Sequence, residues 1–243
     1  MTAIKTENLR KEYKDVVAVD GLNLEIEEGK LFALLGVNGA GKTTTIKMLT
    51  TLTKPTSGNA YIYGHSALTE EEKVKELVDV SMQETAVARN LTVEENIGFY
   101  AKLSGQTDEE TEETKRYVYN AFGLDKVAKK QAAKLSGGWQ RKLSIALAIV
   151  TKPKVLFLDE PTLGLDVIAR RELWKTISAL KSQMTIVLTT HYMEEAEALS
   201  DEIGVMVDGK LLFKGTKEEL YSFANAKTVE EAFIKIVSGG EEN

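Results

Sequence analysis

The chain has 243 residues, about 1.6 times the usual domain length, which suits one large domain with a sizeable core or one domain plus a subdomain. Its 31 Lys and Arg against 37 Asp and Glu leave a net charge of −6, which argues against a nucleic-acid partner, since that would need a basic face. A content of 43% hydrophobic and 28% charged residues excludes a disordered chain, and the lack of cysteine excludes disulfides and thiolate metal sites. No apolar stretch approaches the roughly 18 residues that cross a bilayer. Met1 to Gly21 lacks the apolar centre of a signal peptide, so the chain is expected to be soluble, cytosolic and not itself a channel.

In chain order, Leu22–Ile26 alternates as a half-buried strand should, and Leu31–Leu35 reads as a buried strand. Thr44–Leu52 reads as a helix that breaks before Pro55, and His65 after a Tyr-Gly turn reads as a surface residue. Three more apolar runs, Leu77–Met82, Val155–Leu158 and Thr185–Thr190, have the look of parallel-sheet strands. Thr-x-x-Glu capping boxes mark helix starts at Thr69/Glu72, Thr92/Glu95, Thr107/Glu110, Thr216/Glu219 and Thr228/Glu231. Between about Glu84 and Val150 the pattern is helices and loops, a helical insert in an α/β core. The acidic run Asp108–Glu113 lies there and is best read as a solvated first helical turn, where the dipole favours carboxylates. Ile203–Val207 and Leu211–Phe213 flank Asp208-Gly209 as a hairpin, and Val229, Ala232, Phe233, Ile236 and Val237 form a helical apolar face.

Gly36-Val37-Asn38-Gly39-Ala40-Gly41-Lys42-Thr43 satisfies G-x-x-x-x-G-K-[ST], between a buried strand and a helix. Its chance occurrence in such a chain is on the order of one per cent. Glycines let backbone amides curl around a phosphate, and a helix N-terminus adds positive potential. Lys42 can reach the β- and γ-phosphates, and the Thr43 hydroxyl can hold magnesium. A dinucleotide fingerprint from Gly39 fails because Thr44 takes the third glycine position, so the loop reads as a nucleoside-triphosphate site.

Val155–Leu158 ends in Asp159-Glu160, two acids that repel and resist desolvation unless a magnesium–phosphate complex needs them. Asp159 would then orient the metal and Glu160 would act as general base toward water. Gln83 and His191 also follow strand runs, so Gly36, Gln83, Asp159 and His191 should converge on one sheet edge, where open α/β sheets bind ligands. His191 reads either as a helix-capping histidine or as a neutral imidazole that bonds the γ-phosphate or orders Glu160 and water.

Leu135-Ser136-Gly137-Gly138-Trp139-Gln140-Arg141 lies upstream of the acidic strand, and Gly164-Leu165-Asp166 follows it. The ordered set GVNGAGKTT, LSGG, VLFLDEP, GLD and His191 resembles the ATP-binding subunit of ABC transporters over essentially the whole chain. The resemblance implies an α/β fold: a P-loop (RecA-like) core with a mainly parallel sheet, an N-terminal antiparallel β subdomain and an inserted helical subdomain. It implies one domain over 1–243, with 1–83 and 151–243 as the ATP-binding core and 84–150 carrying the signature. ATP and Mg²⁺ are the implied cofactors. Lys42, Glu160 and His191 are the implied catalytic residues, and Thr43, Gln83 and Asp159 the metal-holding ones.

Nucleotide contacts are implied for Tyr13, which would stack on adenine, for Gly36, Asn38, Gly39, Ala40, Gly41 and Thr44 of the loop, and for Gln83. Two cassettes, as a homodimer or paired with a related ATP-binding subunit, would close head to tail on ATP. Ser136, Gly137 and Gly138 of one would then meet the γ-phosphate held by the other, with Ser136 capping a helix that runs to Val150 and buries Leu143, Ala146, Leu147 and Val150. Asp166 would couple the two sites. Many members carry Gln after LSGG where this chain has Trp139, so the side-chain contact from that position is in question.

The segment Glu84–Tyr100, with Ala86, Val87 and Arg89 as exposed candidates, would meet an integral membrane permease subunit. That places the chain in the cytoplasm, peripheral on the inner face of the cell membrane. HYMEEAEALSD and TVEEAF look most like drug, antibiotic or sodium exporter subunits. Two other readings compete. A soluble ABC-type ATPase of the ribosome or of DNA repair would usually carry two cassettes or large basic, coiled-coil or zinc insertions. A GTPase or small-molecule kinase would leave LSGG unexplained, and no Asn-Lys-x-Asp guanine reader is present.

Overall fold

In the computed structural model, which describes residues 1–239, two long strands open the chain: β1 (Thr2–Tyr13) and β2 (Val16–Glu27). They pair antiparallel, and β2 buries Leu22, Leu24 and Ile26 while Asn23, Glu25 and Glu27 face water, the alternation expected of a half-buried strand. Then follow β3 (Leu31–Leu35), α1 (Lys42–Leu49), β4 (Ser57–Ile62), β5 (His65–Ser66), α2 (Glu71–Leu77) and β6 (Val78–Ser81). Next come α3 (Val93–Leu103), α4 (Asp108–Phe122) and α5 (Gly137–Ala148), with two short 3₁₀ turns before α5 and no strand between residues 84 and 150 among the described residues. The chain continues through β7 (Val155–Asp159), α6 (Val167–Leu180), β8 (Thr185–Thr190), α7 (Met193–Leu199), β9 (Glu202–Val207), β10 (Lys210–Gly215), α8 (Lys217–Ala224) and α9 (Val229–Val237).

A four-stranded antiparallel sheet has the order β2-β1-β4-β5, and a six-stranded sheet the order β10-β9-β3-β8-β7-β6. Within the larger sheet only the β9–β10 hairpin is antiparallel. Its turn, Asp208-Gly209, has both residues at positive φ (46° and 79°), as a two-residue hairpin requires. The buried strands point alternate side chains into two cores. Leu31, Ala33, Leu35, Leu156, Leu158, Ile186 and Leu188 face the helices, including the α5 stripe Leu143, Ala146, Leu147 and Val150. Phe32, Leu34, Val155, Phe157 and Val187 face α1 and the smaller sheet.

Local signals held unevenly. Thr92, Thr107 and Thr216 form complete capping boxes with Glu95, Glu110 and Glu219. Thr228 accepts from Glu231 N, but the Glu231 carboxylate turns to Lys227 N instead of closing the box. Thr69 caps nothing: the Ser66 hydroxyl accepts from Thr69 N, and α2 starts after Glu70. His65 is half-buried and not simply a surface residue, because its Nδ1 lies 3.1 Å from Glu70 Oε1. Leu77 closes α2 instead of opening β6, and α1 begins at Lys42 and stops at Leu49 instead of running to Leu52. Helix α5 stops at Ala148 rather than Val150, and Ser136 takes its N-cap position without a side-chain cap bond.

Candidate functional site at the sheet rim

Strands β3, β8, β7 and β6 run parallel in register, Leu35 beside Thr190, Asp159 beside Thr189 and Ser81 beside Leu158. Their carboxyl ends therefore coincide. Gly36, His191 and Glu160 directly follow three of them, and Gln83 follows the fourth after Met82. A cleft of about 480 Å³ opens there, lined by Asn38 to Thr44 together with Tyr13, Gln83, Glu160 and His191. Gly36 and Asp159 lie beneath its wall as partners of Lys42 and Thr43. Ser136, Gly137 and Gly138 do not line it.

The loop needs its glycines. Gly41 has φ 106°, and a Cβ there would stand 2.3 Å from Ala18 O; one on Gly36 would stand 2.5 Å from Met206 O. Buried Lys42 donates to Gly36 O at 2.7 Å and Val37 O at 3.2 Å, and its Nζ lies 3.3 Å from Glu160 Oε1. The other Glu160 oxygen, Oε2, lies 2.6 Å from His191 Nδ1. An ionised carboxylate only accepts, so that nitrogen carries the proton and Nε2 is the ring's remaining acceptor. Glu160 itself sits at φ 50°, held by its amide on Thr189 Oγ1 at 3.1 Å, a strained conformation of the kind found at functional sites.

Asp159 is fully buried, and its carboxylate accepts from two hydroxyls, Thr43 Oγ1 at 2.9 Å and Thr189 Oγ1 at 2.5 Å. Among the described residues it makes no ion pair, which leaves a buried anion flanked by oxygen donors. That set suits a small hard cation that brings most of its other oxygens with it, as magnesium does with phosphate.

Tyr13, at the end of β1, lines the cleft and is 44% exposed, with Lys11 Nζ over its ring, 4.9 Å from the centroid. Ser136 and Gly137 are exposed at the start of α5, and a Cβ on Gly138 would press on Ala169 at 3.3 Å. Trp139 is half-buried against the helix-side core, with Lys142 Nζ 4.8 Å from its ring. The Asp166 carboxylate caps α6, accepting from Ile168 N and Ala169 N at 2.9 Å each. Ala86 and Arg89 are exposed, but Val87 packs against the helix-side core and is not free, since its apolar side chain gains more there than in water.

Two buried charged groups had no role in the sequence reading. The Arg141 guanidinium contacts only main-chain carbonyls; burial pulls its pKa down, and the charges of Asp159, Glu195 and Glu160 oppose that. Burial pushes the Glu195 carboxyl up, with the hydroxyls of Thr190 and Thr162 and the Trp174 indole opposing; Trp174 Nε1 donates to Glu195 Oε1 at 3.0 Å. The carbonyls that hold Arg141 leave no trace in a sequence, and Trp174, which bonds Glu195, lies 21 residues away along the chain, so neither residue could be singled out from it.

A glycine-rich loop that leads a helix at the rim of a mostly parallel sheet defines a P-loop nucleotide-binding protein. The sequence model of the family described as ABC transporter matches residues 19–163, and the chain belongs to that family. It is 43% identical over 87% of its length to the phospholipid-transporting ATPase ABCA3 of Homo sapiens, and 40% identical over 90% to the daunorubicin/doxorubicin resistance ATP-binding protein DrrA of Streptomyces peucetius. It spans 13% of the former's length and 67% of the latter's. Among solved structures, an ATP-binding subunit of an ABC transporter superposes with TM-score 0.86 at 26% identity, covering 97% of this chain and 99% of that one. A dimeric bacterial ABC transporter cassette superposes with TM-score 0.79 at 26% identity, covering 88% of this chain and 98% of that one.

Proposed function

We propose that the chain is the ATP-binding and hydrolysing motor of an ABC transporter, working as a dimer with itself or a related ATP-binding subunit and driving export. Its partners in this reading are separate integral membrane permease subunits, and its place is cytoplasmic, peripheral on the inner face of the cell membrane. DrrA, a drug-resistance ATP-binding protein, supports export, and the dimeric cassette supports pairing. No described helix is long and apolar enough to cross a membrane, so a transport path would need other segments. Residues 1–83 and 151–243 are proposed as the ATP-binding core of a single domain, and residues 84–150 as its helical subdomain, with Glu84–Tyr100 meeting the permease.

The observation that carries the reading is the buried Glu160 carboxylate held between Lys42 Nζ and His191 Nδ1 at the mouth of the loop. The Lys42 ammonium donates to Gly36 O and Val37 O, and Glu160 Oε1 lies 3.3 Å from it as its ion-pair partner. A phosphate arriving at Lys42 would compete with the Glu160 carboxylate, 3.3 Å away, for the ammonium. Glu160 Oε1 is then free to accept a proton from water, while His191 keeps Oε2 in place as a positioning partner.

In this reading the amides of Gly36, Asn38, Gly39, Ala40, Gly41 and Thr44 cradle the phosphates, and Tyr13 takes the adenine ring. Thr43, Asp159 and Gln83 hold magnesium, which when bound offsets phosphate charge. Ser136, Gly137 and Gly138 serve the partner's cleft. Helices α1 and α5 support that division: among the described α-helices, only these two lack both a side-chain cap bond and an acidic residue in the first turn. Their N-termini are left open to anions. Replacing Glu160 with Gln is expected to stop phosphate release while ATP still drives a stable dimer in sedimentation. Unchanged turnover in that variant would refute the assignment.

A further inference from the structure

Arg141 follows Ser136 on the first turns of α5 and is 4% exposed. A guanidinium has five N–H donors, and here each ends on a main-chain carbonyl. Nε reaches Pro161 O at 2.7 Å, Nη1 reaches Met82 O at 2.7 Å and Gln83 O at 3.2 Å, and Nη2 reaches Asp159 O at 3.0 Å and Glu160 O at 2.5 Å. Among the described residues Arg141 forms no ion pair. A buried cation held only by peptide groups is bonded to the path of the backbone and not to any one side chain. The peptides it holds are those of Gln83 and Glu160, while the helix that carries it begins at the exposed Ser136.

We propose that Arg141 is a positioning residue that locks the peptides of Gln83 and Glu160 to the signature helix, so that a shift at the phosphate end of one cleft moves the Ser136 offered to a partner's cleft. This rests on the motor reading above. The device depends on the planar fork: a lysine keeps the charge but has three donors on one atom and cannot span two strand ends. It also concerns placement and not nucleotide affinity, because Arg141 does not line the cleft.

The test compares Arg141→Lys with the parent, full chain in each case and rates expressed per folded protein. Binding of a fluorescent ATP analogue is expected to stay within about threefold, while kcat falls about tenfold or more at nearly constant KM. The Hill coefficient for ATP is expected to fall toward one, because each cleft would no longer inform its neighbour. Loss of thermal stability with kcat and Hill coefficient unchanged would overturn the proposal and leave Arg141 a structural plug. Should Arg141→Lys fold poorly, amide exchange in the parent, diluted until monomeric, decides instead. ATP must then slow exchange at Gln83–Thr85 and at Gln140–Leu143 together, and a change confined to the first segment overturns the coupling. A parent that binds no ATP at all would sink the motor reading instead.

Discussion

The loop-and-acid rim and the start of α5 carry the same proposed ligand chemistry in opposite states of completion. At the rim every charged group is already engaged: Lys42 with two carbonyls and Glu160, Asp159 with two hydroxyls, Glu160 with His191. At α5, Ser136 is exposed, its hydroxyl caps nothing, and the first turn carries no acid. Buried polar groups must find partners within the fold, whereas exposed ones can wait for a ligand. The difference teaches that the cleft holds its own residues ready, and it supports the proposal that the signature segment completes a site outside its own chain.

Removing the proposed proton acceptor breaks the comparison hardest. Glu160→Gln is expected to lower kcat by about 10²–10⁴-fold in a phosphate-release assay, with analogue binding retained. Ser136→Arg tests the other side. It should lower turnover on the order of 10²-fold, as loss of anion donors does, and abolish ATP-driven dimerisation in sedimentation. Because Ser136 makes no cap bond, the same variant should change unfolding free energy by no more than about 0.5 kcal/mol. A large loss of stability there would mean that the segment is structural after all.

The far end of α5 offers a pH-dependent probe of the same helix. Asp79 on β6 accepts from Thr151 Oγ1 at 3.1 Å just beyond α5, and burial pushes its pKa up to about 6. A carboxyl whose folded pKa is raised adds stability below its unfolded value and loses it as pH rises through the folded one. Unfolding free energy should therefore fall between about pH 4 and pH 7, by at most about 3 kcal/mol, and Asp79→Asn should lack that fall in urea titrations.

The smallest effect separates true caps from mere patterns. Thr107→Ala should cost about 1 kcal/mol of stability in urea titration, and Thr69→Ala close to nothing, although both head a Thr-x-x-Glu sequence. The contrast arises because the Ser66 hydroxyl already accepts from Leu68 N and Thr69 N, and the Glu70 carboxylate accepts from Ser66 N. A nearby turn out-competed the cap.

The sequence by itself determined the strands of the parallel sheet, the Asp208-Gly209 hairpin, the phosphate loop and the acids at the end of β7. These depend on periodicity and on neighbours close along the chain. Only the tertiary structure decided that His191 holds Glu160, that Val87 is covered, and that Arg141 staples the ends of β6 and β7. Such contacts join segments far apart in sequence, and several end on main-chain carbonyls, which every residue possesses. Composition cannot distinguish one carbonyl from another. Packing, which sets where α5 lies across the sheet rim, chooses among them.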